Sequence, residues 1–286
     1  MNRRAFLSTA AVLAGAPSRV LIVEGPSKHP PGTHEVGAGA RLMQHCLAGM
    51  KNVSGVAADV VTAWPSDKTA LDAVRTVVFI GDVFPPLRMA ESERIMADLG
   101  AMMKRGCGIV CIHFATGLQA ADLPPSGDHP LLHWMGGYFS TGGAKHHKSV
   151  ARVFPSVTIT PAAPAHPICR GWKAFTLPEE PYYNNYFGPD GNRMAAGVTA
   201  LATAMLPPEA PKSEVVAWSV ERGDGGRGFA VVMPHFYKTW KDDDFRRFAL
   251  NGIVWSAKLA VPKGGVRTDA PDLMAFGPGA LEPKAR

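Results

Sequence analysis

The sequence predicts an α/β protein built on a parallel sheet, and three observations carry that expectation. Short continuous apolar runs, RVLIVEG (19–25), VVFIGDV (77–83) and GIVCIH (108–113), are rich in Val and Ile and punctuated by Gly or Pro, as in strands buried on both faces. Segments with apolar residues at helical spacing lie between them, and strands alternating with helices imply βαβ units. The 286 residues are 46% hydrophobic and 19% charged, which excludes a disordered or fibrous chain and allows one large domain or two small ones.

Each element follows from its residues. After the first strand comes the loop PSKHPPGTHE, then a helix from Gly37 to Met50 with Leu42, Met43, Cys46, Leu47 and Met50 on one side. A strand spans Ala58–Thr62, and 77–83 forms the next. Arg88–Arg105 reads as a long amphipathic helix closed by Gly106 at the stop position. The strand 108–113 follows, and DHPLLHWMGGYF (128–139) reads as helical. ARVFPSVTIT, VTALATAML and EVVAWSVE read as strands, and GDGGRG (223–228) as a tight turn before FAVVM (229–233). The helix 242–259 has Asp242 as its cap and Phe245, Phe248, Ala249, Gly252 and Ile253 on one stripe. Beyond Pro262 a Gly- and Pro-rich tail is expected to lack a packed core.

The N-terminus, MNRRAFLSTAAVLAGA, pairs Arg3 and Arg4 with an apolar stretch and with Ala14 and Ala16 placed as at a cleavage site, the pattern of a twin-arginine export signal over residues 1–16. It predicts a periplasmic or secreted protein, or an anchored one if the signal stays uncleaved. No run approaches the roughly 18 apolar residues of a spanning helix, so no transmembrane segment is expected in the mature chain. The excess of 30 basic over 24 acidic residues gives +6, of which the signal holds two charges. The rest is scattered, so no nucleic-acid partner is expected. Cys46, Cys107, Cys111 and Cys169 form no CxxC pair. Cys107 and Cys111 sit four apart in one strand, which puts their Cα atoms about 13 Å apart, beyond disulfide reach.

In open parallel sheets, ligands bind beyond the carboxyl ends of the strands. That rule selects His29, His34 and Glu35 after the first strand, Asp82 after the third, His113 at the end of GIVCIH, and His235 after FAVVM. Gathered in one cleft, they would assemble several imidazoles and carboxylates. His129 and His133 have the i, i+4 spacing of a helical metal pair, but the Glu of HExxH is missing and Pro130 makes His129 a helix-start residue. His146 and His147 are adjacent, so at most one reaches a common site. Tyr182, Tyr183, Tyr186, Tyr237 and Trp240 offer either a stacking floor for a sugar or ordinary packing. No GxSxG elbow or Walker A loop is present and no GxGxxG follows the first strand, so no nucleotide cofactor is expected. His113 stands where an elbow nucleophile would, and Cys111, two residues inside the strand, is expected to be buried and inert.

The ordered series RVLIVEG, KHPPGTHE, GCGIVCIHFA, HPLLHWMGGYF, HPICRGWKAFTLPEEPYYN and GRGFAVVMPHFYKTWKDDDFRRFALNGIVWSAKLAVPKGGV resembles the ThuA-like (trehalose utilisation) family across 19–266. The resemblance implies a flavodoxin-like, class I glutamine-amidotransferase-like three-layer sandwich with a mostly parallel sheet, as one domain over 19–260 followed by a tail over 261–286. It also implies that the elbow Cys of true amidotransferases is replaced by His113, so the protein is not expected to be a glutaminase. Carried over residue by residue, the implied site is His34, His113, Glu180 in PEEPYYN and His235 in PHFYKTW. The chain departs from the family at Pro181, where an aromatic is usual, and at MPHF, where GH is usual.

Because the family is associated with sugar catabolism, the resemblance implies a small-molecule carbohydrate or 3-keto-glycoside substrate. Proton transfer beside its carbonyl would need a base and a group that stabilises the enediolate oxygen. Glu180 or His113 is the expected base. His34 and His235, with His113, are the expected ligands if a zinc-like divalent metal is used. His29, Glu35, Asp82, Tyr182, Tyr237 and Trp240 are expected to bind substrate. The alternative is a carbohydrate-binding domain without catalysis.

Overall fold

A computed structural model describes residues 16–283. The expected export signal therefore lies outside the described residues, but for Ala16. Among the described residues, no helix is long and apolar enough to cross a membrane.

The elements run in the order β1 (Ser18–Glu24), α1 (Val36–Ala48), β2 (Val56–Val61), α2 (Lys68–Asp72), β3 (Val74–Ile80), α3 (Ser92–Lys104), β4 (Gly108–Ile112), β5 (Gly117–Leu118), α4 (Pro130–Met135), β6 (Phe139–Ser140), β7 (Phe154–Pro161), β8 (Phe175–Glu179), β9 (Val198–Leu206), β10 (Lys212–Glu221), β11 (Arg227–Val231) and α5 (Asp243–Ser256). Nine of the strands form one sheet in the order β2-β1-β3-β4-β11-β10-β9-β7-β8, and β5 pairs with β6 outside it.

Only part of this sheet matches the mostly parallel expectation. β2, β1, β3, β4 and β11 are parallel, whereas β10, β9, β7 and β8 continue the sheet through antiparallel pairs. The connections explain the change of direction. β10 reaches β11 through a five-residue turn in which Arg222 N donates to Gly226 O at 2.9 Å and Gly225 takes φ +77°. So short a link cannot carry the crossover that parallel neighbours need.

The strands of the parallel half are buried on both faces, which is why they read as unbroken apolar runs. Ile22, Val77, Val78, Phe79, Val110, Phe229 and Val231 are all inaccessible to solvent. Successive residues of β11 show how the layers stack. Phe229 fills the space above Gly252 of α5, and Gly228, on the other face, lies against the Trp134 and Met135 backbone of α4, with no room for a Cβ at either glycine. α1 joins α5 on its face and covers β1, β2 and β3. The four cysteines are free and buried. Burial pushes the thiols of Cys46, Cys107 and Cys169 up to about 11 and that of Cys111 higher still, which keeps them protonated and inert.

Three helical expectations are sharpened. α3 starts at Ser92 rather than Arg88, after a separate single turn at Pro85–Leu87, and Gly106 at φ +79° follows its end as predicted. The helix expected over 128–139 covers only Pro130–Met135, because Gly136 adopts the left-handed conformation and stops it. α5 is capped as expected, with Asp242 Oδ1 accepting from Phe245 N at 2.8 Å.

The tail departs most from its expectation. Val261, Val266 and Leu273 are buried, and Asp272 caps a further turn at Leu273–Phe276. Backbone atoms make many of its attachments: Arg41 donates to Phe276 O, Tyr237 Oη to Leu273 O, and Asn52 joins Gly265 O and Arg267 N.

Candidate functional site

Four parallel strands end on one side of the sheet, and the residues just beyond them form the site. His113 follows β4 directly and takes φ +51°, the strained strand-to-helix position of an elbow. His34, in the loop after β1, also has a positive φ, +49°, and its amide donates to His235 O at 2.7 Å. His235 follows β11, and Asp82 follows β3. Glu180 arrives differently, from the end of β8, on a segment that folds back across the strand ends. There Tyr182 stacks on His113 with ring centroids 4.6 Å apart, and Tyr186 pairs with Tyr138.

The result is a compact group of ligand atoms. His34 Nε2 lies 3.0 Å from His113 Nε2 and 3.1 Å from His235 Nδ1. Glu180 Oε2 is 3.1 Å from His235 Nδ1 and 3.9 Å from His113 Nε2. Tetrahedral zinc with ligands at 2.0–2.1 Å has ligand-to-ligand edges of about 3.3 Å, so these separations straddle the spacing that such an ion requires.

The outer partners determine which nitrogens are free. His113 Nδ1 lies 2.9 Å from Val232 O, which can only accept, so Nδ1 carries the hydrogen and Nε2 is bare. His34 Nδ1 lies 2.7 Å from Asp82 Oδ1, and the same logic leaves its Nε2 bare. His235 Nδ1 faces His34 Nε2 and Glu180 Oε2 with no outer acceptor among the described residues fixing its tautomer, and the Tyr182 hydroxyl, 3.1 Å from His113 Nε2, is a donor that faces the group. At most two hydrogens, one of them absent in the tautomer that offers His235 Nδ1 as a ligand, thus meet three lone-pair atoms: the two Nε2 and Glu180 Oε2. A donor-poor, lone-pair-rich centre with Asp–His and carbonyl–His outer contacts fits a divalent cation.

Electrostatics point the same way. Burial, followed by the like charges of His34 and His235, holds His113 well below the usual imidazole range. Burial also lowers His34, outweighing its bond to Asp82. Burial opposes ionisation of Asp82, but hydrogen bonds from His29, His34 and Lys28 N outweigh it and hold the carboxyl well below the usual range. Burial pushes the Tyr182 phenol well above its ordinary value, so it keeps its proton.

His29 also belongs to this group: its ring stacks 3.5 Å from that of His34 on the more exposed side, and its Nδ1 lies 2.9 Å from Asp82 Oδ2. Expectations for four other residues are corrected. Both oxygens of Glu35 accept backbone N–H groups, from Gly32, Gly279 and Ala280, which leaves the carboxylate committed to the chain rather than to a ligand. Tyr237 and Trp240 are buried, and the Tyr237 hydroxyl donates to Leu273 O. They floor a space of about 10 Å³ beneath His34, His113 and His235, and offer no exposed ring face to a sugar. Tyr182 is equally buried between His113 and Phe139, with only its hydroxyl turned to the centre.

The other candidate histidines lie elsewhere. His129 Nδ1 accepts from Leu131 N as a helix cap, and His133 pairs with Asp128 at the surface. His146 meets the Tyr138 hydroxyl, and His147 the Asn184 carbonyl. The residue that the sequence did not reveal is Glu179. Its fully buried carboxylate accepts from His235 N at 2.8 Å, Glu180 N at 2.8 Å and Thr239 Oγ1 at 2.6 Å, and burial raises its pKa. The pair Glu179–Glu180 was the available signal, since adjacent residues at a strand end face opposite ways. A cavity of about 930 Å³ between α4 and the loop 187–198 is lined by Arg222, which bonds Cys107 O at the start of β4, the opposite end of the sheet from the histidines.

Comparisons with known proteins agree with this architecture. A ThuA-like protein from Bacteroides uniformis superposes with a TM-score of 0.59 at 17% identity, covering 86% of this chain and 94% of that one. A second, from Parabacteroides merdae, gives 0.56 at 14% identity, covering 89% and 98%. Agd3, a carbohydrate deacetylase, gives 0.51 at 9% identity over 85% of this chain and 33% of its own. At these identities the likeness is one of fold. No curated protein sequence matches the chain. The family model for trehalose utilisation, ThuA, matches residues 19–256, and the chain belongs to the ThuA family.

Proposed function

We propose that this protein is a metal-dependent enzyme of carbohydrate utilisation that moves a proton beside a sugar carbonyl, in an isomerisation, epimerisation or elimination. The observation that carries the metal is the meeting of the bare Nε2 atoms of His34 and His113 with His235 Nδ1 within 3.1 Å of one another along the His34 edges. The carbohydrate comes from the family, whose model is described by trehalose utilisation.

His34, His113 and His235 would hold the ion. A zinc-like cation supplies Lewis acidity, drawing charge from a carbonyl oxygen. Glu180 is the base of this reading. Catalytic zinc sites keep one position open, and Glu180, 17% exposed against 3% for His34 and 4% for His113, is the member nearest solvent. Its carboxylate takes the carbon-bound proton and returns it. Tyr182, held protonated, donates a hydrogen bond to the oxygen on which charge develops. Asp82 and Val232 O keep two ligand imidazoles in the required tautomer, and Glu179 anchors the His235 backbone. The twin-arginine pattern adds the proposal that this chemistry takes place outside the cytoplasm.

The test combines metal analysis with deuterium wash-in. Purified protein is expected to hold close to one zinc-like ion per chain, and in D2O to exchange the hydrogens beside the carbonyl of a 3-keto-glucoside, followed by proton NMR. Glu180→Gln is expected to keep the ion and lose exchange by about 100-fold or more. No bound metal, or exchange unchanged in both Glu180→Gln and His113→Ala, overturns the proposal. Sugar binding without exchange under any metal condition favours the carbohydrate-binding alternative.

A further inference from the structure

Two of the ion-holding histidines sit on loops, and the tail grips both loops without touching any ligand atom. Glu35, next to His34, is the main junction. Its Oε1 accepts from Gly32 N at 2.7 Å and Ala280 N at 3.0 Å, and its Oε2 from Gly279 N at 2.9 Å. Gly32, at φ +86°, lies directly under the Glu282–Pro283 backbone, which leaves no room for a side chain. On the His235 side, Tyr237 Oη donates to Leu273 O at 3.0 Å, and Lys238 Nζ pairs with Glu282 at 3.2 Å. The loops also bind each other, through His34 N to His235 O and Tyr237 N to Gly32 O at 3.1 Å.

The strain at His34 gives this grip a purpose. A histidine at φ +49° is in a strained conformation that persists only where its surroundings over-determine it. We propose that residues 273–283 act as a clamp, with Glu35 as its anchoring residue, that holds His34 and His235 at ligand spacing. This rests on the metal reading above. Glu35 is on this account a positioning residue: it contacts neither ion nor substrate and acts through the backbone of His34.

A merely structural tail would contribute stability alone, so the decisive readout is zinc affinity set beside backbone protection. In the full chain, Glu35→Ala removes all three acceptor contacts, and Ala280→Pro removes one donor from the tail side while leaving the site untouched. Competition against a chromogenic chelator is expected to show zinc affinity lowered on the order of tenfold in Glu35→Ala. A smaller loss is expected in Ala280→Pro, and a double variant no worse than Glu35→Ala, because both act through one junction. Glu35→Gln, which keeps one acceptor oxygen, is expected to fall between wild type and Glu35→Ala. Amide exchange at His34 is expected to speed up about tenfold in the metal-free variants. Zinc affinity within twofold of wild type together with unchanged His34 exchange overturns the clamp, even if the melting temperature falls. Wild-type protein that binds no zinc overturns the metal reading instead, and His34 exchange alone then decides whether the clamp stands.

Discussion

Two groups of histidines in this molecule look alike in sequence and behave differently in structure. His129 and His133 carry the spacing of a helical metal pair, whereas His34, His113 and His235 are scattered over two hundred residues. Yet only the scattered set converges. The difference lies in what the second ring nitrogen does. His113 gives its Nδ1–H to a carbonyl and turns a bare Nε2 inward, whereas His129 spends its Nδ1 lone pair accepting from Leu131 N, 3.1 Å away. At His34 and His113 a lone pair is left facing the centre because the other ring nitrogen is provided with an acceptor. Spacing along a helix says nothing about that.

The largest test of this contrast removes a candidate ligand. His113→Ala is expected to weaken zinc binding by more than about 100-fold, since even outer-contact losses reach 10- to 100-fold, whereas His129→Ala leaves it unchanged; equal effects in a chelator competition would erase the distinction. Next comes the tautomer. Asp82→Asn presents an amide in place of the acceptor that fixes His34 and is expected to lower zinc affinity about 10-fold or more. A loss under twofold would mean that His34 needs no such partner.

A third test concerns acid. Burial lowers His129 from 6.5 to about 4, so its folded value lies below its unfolded one. Between those values the unfolded chain binds the extra proton, so this contribution is complete above about pH 6.5 and is lost as pH falls toward about 4. His129→Ala is expected to flatten the melting temperature across that window, and an unchanged slope would refute the assignment. The smallest expected effect is the cap itself: at neutral pH, His129→Ala costs about 1 kcal/mol, measured by urea unfolding.

The parallel half of the fold and the strand-end residues were legible because they obey simple patterns. Strands buried on both faces read as unbroken apolar runs, and the strand-end rule selected His34, Asp82, His113 and His235. The same rule placed Glu35 in the site beside His34, and there it failed: neighbouring side chains diverge, and this one turned to the tail. Glu180 was visible only through family resemblance, because it returns to the centre from an antiparallel edge strand that the rule does not cover. The antiparallel half escaped because Leu201, Ala202 and Val216 are buried while Thr199 and Val215 are only half covered, so the apolar signal says strand without saying direction. The tail was illegible because backbone N–H and C=O groups make many of its attachments, and those carry no side-chain signature.

That last point bears on how the protein should be handled. The family match ends at residue 256, and the junction at Glu35 lies against residues 279 and 280. A fragment trimmed to the family's borders would keep every strand and every candidate ligand, and would still leave a carboxylate beside His34 without its two tail-side donors. A loss of metal binding in such a fragment would describe the cut rather than the intact protein, and an affinity tag appended close to residue 283 deserves the same suspicion.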